Sequence, residues 1–249
     1  MVGCSLGDLA ILCTLRAMIA SITKFQDIYL LENLCAVLSN LGKGVSHISS
    51  YTASRLVQVF LQVSTQLLTL WTNSPPNHRL SAWEVIKRDM EEETEEKDGE
   101  WIFQADSHYL QVSMSSSSQS FVSANQMGDV LLGRIPFFLL AIKTLSNLID
   151  ASLHPKVIGD NLHLAYIALQ MNSALKPPLS TPLFTRMNWG QSLLSISEIL
   201  ISEMASQEGG GASLSSAEKG LEFVNEILIN KIALSYQVWF YTIVLCHPF

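Results

Sequence analysis

The chain has 249 residues, 48% of them apolar and only 15% charged, with a formal net charge of −7. The apolar share is ample for a core, but the charged share lies well below the roughly 25% usual in soluble domains, so the chain buries much of itself or lies against something apolar. Residues 89–100 hold eight acids and one base, Lys97. They carry the whole imbalance, because the other 14 acids (22 less 8) and 14 bases (15 less 1) cancel. This excludes the basic footprint that nucleic acid requires and the Lys/Arg cluster that suits anionic lipid.

Cys4, Cys13, Cys35 and Cys246 are too few and too scattered for a disulfide scaffold. No Asn-x-Ser/Thr sequon occurs, which favours the cytosolic side. The first residues lack the basic start of a signal peptide, and Asp8 and Arg16 interrupt the apolar run. Val2 follows Met1, where N-myristoylation needs glycine. No stretch reaches about 18 uninterrupted apolar residues. The nearest, 135–149 and 232–246, are broken by Lys143 and Gln237 and read as buried helices, with membrane spans (135–151 and 232–246) as the alternative.

In chain order, residues 5–24 predict a first helix, with a wide apolar face from Leu6, Leu9, Ile11, Leu12, Leu15, Met18, Ile19 and Ile22. Asp27 is placed to N-cap a second helix through Leu30, Leu31, Leu34 and Leu38, which Gly42 and Gly44 stop. Ser49 or Ser50 caps a third, through Leu56, Phe60 and Leu67 to Trp71, ended by Ser74-Pro75-Pro76. Residues 72–133 change character. They hold the acidic run, the Ser115–Ser118 tract and no sustained period. Such a composition does not bury enough surface to offset chain entropy, so a disordered or loosely attached insert is expected, with Trp101-Ile102-Phe103 docking transiently. Helices resume over Phe137–Ala151, behind Pro136 in a first turn. Another opens at Asp160 or Asn161, runs through Leu164, Ile167, Leu169 and Met171, and is stopped by Lys176-Pro177-Pro178. Leu193–Met204 follows, then the Gly209–Gly211 break. The capping-box spacing Ser215…Glu218 opens a last helix through Leu221, Val224, Ile227 and Leu228. About eight consecutive helices with wide apolar faces predict an all-α chain, an α-solenoid of armadillo or HEAT style with a long insert. No strict internal period is present, and a compact helical bundle is the rival.

Chemical motifs fail on spacing. His154, Asp160 and His163 lack paired zinc-ligand spacing. Gly42-Lys43-Gly44-Val45-Ser46 is not a phosphate loop and follows no strand. Ser21…Lys24 and Ser216…Lys219 match S-x-x-K without the companion S-D-N and K-T-G elements. The acids of Glu91–Glu96 lie in a solvated run, not in the water-poor pocket that a general acid needs. Trp239, Phe240 and Tyr241 either pack on the preceding helix or seat at a membrane interface.

Ser5-Leu6-Gly7, Arg16, Asp27, Tyr29-Leu30, Asn33, Ala36, Leu38, Asn40, Tyr51, Ala53, Arg55 and Phe60 stand in a gapless spacing that resembles the dymeclin family's central-to-C-terminal region. The family runs Asn-Cys-Leu-Ala where this chain has Asn33-Leu34-Cys35-Ala36, and usually has Met at Leu41. Farther on, 161–169 is similar to a family Asn-Pro-x-Leu-Val-Tyr-Ala-Leu-Leu element without its Pro, and 214–229 resembles a later helix. The family's closing Pro-Tyr-Val-Trp element has no counterpart, and known members are longer at the N-terminus, where their myristoylated glycine lies. On that basis the chain reads as a fragment, isoform or partial gene model of three parts: helical repeats at 1–71, the acidic insert at 72–133 and helical repeats at 134–249. The resemblance implies a non-enzymatic scaffold or adaptor in Golgi organisation and vesicle traffic, peripheral to the Golgi membrane and shared with the cytoplasm. It implies protein partners, no cofactor, no metal and no small-molecule substrate. No binding residues follow from it. Asn33, Asn40 and Arg55 recur in the family pattern, with the satisfaction of backbone groups between helices as their expected role.

Overall fold

A computed structural model describes residues 5–42, 45–73, 134–154, 156–206 and 217–228, and the regular structure among these is helical throughout. Helix α1 spans Leu6–Ala20 and opens on a capping box in which Ser5 Oγ accepts the Asp8 N–H and the Asp8 carboxylate accepts the Ser5 N–H. A π-type turn, Ser21–Phe25, continues it and closes on Gln26 in the left-handed region (φ 51°). α2 (Ile28–Gly42) is opened by Asp27, whose carboxylate accepts the Leu30 N–H at 3.0 Å. α3 (Ser50–Asn73) is opened by Ser49, whose hydroxyl accepts the Thr52 N–H at 3.3 Å. α4 (Ile135–Ser152) carries Pro136 in its first turn, where the missing N–H removes no helical bond. A short 3₁₀ turn, Ile158–Asn161, leads to α5 (Leu162–Gln170), α6 (Asn172–Leu179), α7 (Pro182–Met187), α8 (Gln191–Ser206) and α9 (Ala217–Ile227).

One expectation is corrected here. Lys176-Pro177-Pro178 does not stop the helix that begins near Asn161. That helix ends at Gln170, and both prolines lie inside the next one, α6. The break falls at Met171, whose N–H closes α5 on the Ile167 carbonyl while its own carbonyl takes the first N–H groups of α6, from Ala174 and Leu175. The prolines are tolerated because they occupy the last turn, and α6 finishes one residue later. Helix α7, with Pro182 at its first turn, is a further element that the periodicity does not reveal. The acidic run, the Ser115–Ser118 tract, Trp101–Phe103, Ser215, Ser216, Gly209–Gly211, Trp239–Tyr241 and the 232–246 stretch lie outside the described residues.

The helices pack in two rows. α1 lies on α3, α3 on α5 and α5 on α9, while α2 lies on α4 and α4 on α8. Cross-contacts α1–α2, α3–α4 and α5–α8 tie the rows together. α1 and α3 run parallel, as do α2 and α4, whereas α8 starts beside the late part of α4. The first turns of α1 and α3 meet through Asp8 and Ser49, Gln26 before α2 meets Arg134 before α4, and Gly42 at the end of α2 lies near Leu148 late in α4. One apolar core therefore runs through both sequence stretches that flank residues 74–133. Leu31, Leu38, Leu56, Phe60, Leu67, Ile142, Leu145 and Phe184 are buried in it without remainder, each worth about 1.5–3 kcal/mol relative to exposure. α4 packs against α2, α3 and α8. It is long and apolar enough to cross a membrane, as is Leu6–Phe25, but 56% of α4 is buried by the protein itself.

Candidate functional site

Three polar clusters hold the row geometry. In the first, the buried Asp8 carboxylate bridges two helix starts. One oxygen accepts the Ser5 N–H (3.1 Å) and hydroxyl (3.0 Å), and the other accepts the Ser49 N–H and hydroxyl, both at 3.0 Å. Burial pushes its pKa up, but the hydrogen bonds from Thr52, Ser49 and Ser5 outweigh this and hold the group below the ordinary carboxylate value.

In the second cluster, the fully buried Asn161 joins three segments. Its amide NH₂ donates to the Ser152 carbonyl at the end of α4 (3.0 Å) and to the Val45 carbonyl (3.3 Å), and its carbonyl accepts the Ile48 N–H (3.1 Å). The His47 N–H meets the Asp160 carbonyl beside it at 3.1 Å.

The third cluster is the corner between α7 and α8. Asn188 and Gly190 both take left-handed backbone (φ 56° and 66°). The Gly190 N–H donates to Ser146 Oγ at 2.9 Å, and that hydroxyl donates to the Asp150 carboxylate at 3.2 Å. Around it, Phe184 meets Phe60 and Trp189 edge-on, with ring centroids 6.5 and 6.0 Å apart. Burial raises the Asp150 pKa against the opposing hydroxyls of Ser192 and Ser146. Burial likewise lifts the Cys35 thiol, to about 11, which leaves it a protonated core side chain and not a nucleophile.

The candidate motifs dissolve into this framework. Ser21 Oγ donates to the Asp27 carbonyl at 2.9 Å and helps close the π-type turn. His154 Nδ1 accepts the nearby Lys156 N–H, and among the described residues no three His, Cys, Asp or Glu side chains gather as a metal set. Gly42 ends α2. Asn33 and Arg55 do not serve backbone groups between helices. Asn33 donates to the Tyr29 carbonyl of its own helix (2.7 Å) and Arg55 to the Gln58 side chain on α3 (3.1 Å), both in solvent. The side chains that reach between elements include Asp8, Asn161, Ser146 and Ser197. The Ser5…Asp8 spacing is a readable capping signal, whereas nothing local marks Asn161 for its three-way contact. What remains open to a partner is surface, above all the outward side of the α1–α2 hairpin, where Leu6, Leu9, Tyr29, Leu30 and Val37 are exposed.

The family profile described as "Dymeclin: Dyggve-Melchior-Clausen syndrome protein" matches residues 1–234. A curated relative, "Dymeclin" of Dictyostelium discoideum, is 33% identical over 66 residues, which is 26% of this chain and 7% of the relative. The matched region is thus a small part of that relative's length. No solved structure matches the chain. The profile covers nearly the whole sequence, and the chain belongs to the Dymeclin family.

Proposed function

We propose that the chain is a non-enzymatic helical-repeat scaffold, of armadillo or HEAT type, that acts in Golgi organisation and vesicle traffic from the cytosolic face of the membrane. The observation that carries this reading is the two-row order of the first five helices, with α1 on α3, α2 on α4 and α3 on α5, the arrangement by which repeat proteins build long protein-binding surfaces. Family membership supports the Golgi assignment. The polar clusters favour a structural role, since Asp8 and Asn161 spend their donors and acceptors on neighbouring side chains and backbone groups. The partners are proteins of the trafficking machinery, and attachment to the membrane is peripheral.

Fractionation tests this. The tagged chain is expected in Golgi-enriched membranes and cytosol, and to leave the membranes in alkaline carbonate. A chain that resists carbonate spans the bilayer and overturns the peripheral reading. A chain absent from Golgi fractions overturns the assignment.

A further inference from the structure

We infer that α9 is a displaceable latch. It opens as a unit while the rest of the chain stays folded, and the face of α5 that it covers then takes an amphipathic helix of a partner protein, one with glycine at the point of closest approach. The protein partner rests on the scaffold reading above, whereas the opening of α9 does not.

α9 lies on α5 and touches α8. Its buried line is Gly220, Val224 and Ile227, at intervals of four and three, which is one face of a helix. On α5, Leu162, Tyr166 and Leu169 share a face at the same intervals. The two lines come together at Gly220 and Tyr166. A Cβ built on Gly220 would clash with ring atom Cε2 of Tyr166 and stand 2.9 Å from both Cζ and Oη. Tyr166 is buried and turns on only two side-chain torsions, so its ring has little room to give way. The seat accepts a helix with no side chain at that point and refuses one with a methyl group.

The hold on α9 is light. Three of its eleven residues are buried, against ten of eighteen in α4. Off its seat it does not keep its shape, because a lone helix in water needs roughly 12–15 residues. Glycine inside the helix weakens it further. So do the exposed like charges of Glu218, Glu222 and Glu226, each four residues from the next. α9 therefore forms on its seat and melts off it, as a local unfolding unit does. Release bares one side of α5, whose residues 164–169 are all buried, and an apolar strip of that kind is what an amphipathic helix docks into. Ten residues join Ser206 to Ala217 and reach up to about 33 Å, so α9 can leave without pulling α8 away.

Hydrogen exchange of the full chain, read by mass spectrometry, tests the latch. Amides of α9 are expected to exchange about 100-fold faster than those of α3 and α4. Gly220→Ala is expected to speed α9 by about another tenfold, although alanine is the better helix former, and to leave α3 and α4 unchanged. Adding Tyr166→Leu, which removes Cε2, Cζ and Oη, is expected to reverse that gain. A fluorescent peptide of residues 217–228 stands in for the partner helix. It is expected to bind the Gly220→Ala chain about tenfold more tightly than the parent, whose own α9 occupies the seat. Amides of α9 that exchange only together with those of α3 and α4, in the parent or in Gly220→Ala, overturn the latch. A gain in Gly220→Ala that Tyr166→Leu does not reverse overturns the seat on Tyr166. A peptide that fails to bind the Gly220→Ala chain overturns the docking of a partner helix.

Discussion

Replacing Gly190 by alanine is the sharpest test of the packing around α7 and α8. The position sits at φ 66°, where a side chain costs about 1–2 kcal/mol for lack of a clear path for Cβ. A Cβ built there lies 2.6 and 2.8 Å from the Phe60 ring and 3.0 Å from a Leu179 methyl. Phe60 has no room to retreat, being fully buried and set edge-on to Phe184, so overpacking adds about 1–3 kcal/mol. The total is about 3 kcal/mol. At roughly 2–4 °C per kcal/mol for a chain of this size, the melting temperature falls by about 6–12 °C. The assay is thermal and urea denaturation followed by circular dichroism, with Gly159→Ala as the control, since nothing lies within 4 Å of its added methyl. Phe60→Leu removes the ring atoms that clash, so in a double-mutant cycle it is expected to relieve part of the Gly190→Ala penalty and leave the backbone part. A loss below about 1 kcal/mol, or strict additivity in the cycle, would falsify this account of the corner.

Asn161→Ala strips partners from the Ile48 N–H and from the Val45 and Ser152 carbonyls. A loss of about 2–4 kcal/mol is expected in urea denaturation, and a neutral result refutes the three-way clamp. Asp8 and Asp150 predict opposite pH trends. The lowered pKa of Asp8 gives stability that is present above the ordinary value near 3.8 and is lost as pH falls through the folded-state value, so Asp8→Asn flattens the acid side of the stability profile. The raised pKa of Asp150 makes stability fall as pH climbs from about 3.8 through the folded-state value, so Asp150→Asn removes that decline and is no less stable than the parent at pH 7. Urea midpoints across pH 3–8 decide both. Because α1 and α3 are parallel and α2 and α4 likewise, Asn73 and Arg134 come to the same end of the assembly. A Gly/Ser linker of about a dozen residues, with a reach of about 20 Å, is therefore expected to replace residues 74–133 without changing the cooperative melt. A broadened or two-step melt counts against a core shared across that segment.

Local signals account for what was legible in the sequence. Asp27 and Ser49 cap as their spacing promised, because a cap is decided within three residues. The apolar stripes of the first three helices also face the core as read, apart from Leu6 and Leu9 of α1 and Leu30 of α2, which stay outside. The rest depends on partners far along the chain. Ser146 meets Gly190 across 44 positions and Asn161 meets Ile48 across 113, so no window of sequence contains both halves of either contact. The prolines of α6 misled for a related reason. Proline reports that a helix has no donor at that point, but not whether the point is its middle or its last turn.

The bonds of Asp8, Asn161 and Ser146 all sit toward the end where α1, α3 and α5 begin. Farther along, where α5 gives way to α6, Ser197 Oγ donates to Asn172 Oδ1 at 2.9 Å and ties α8 to α6. Directional bonds fail within a fraction of an ångström, whereas greasy contacts slide. The assembly is thus riveted at separate points along its rows, and a shear between neighbouring helices meets those directional bonds before it meets the apolar packing.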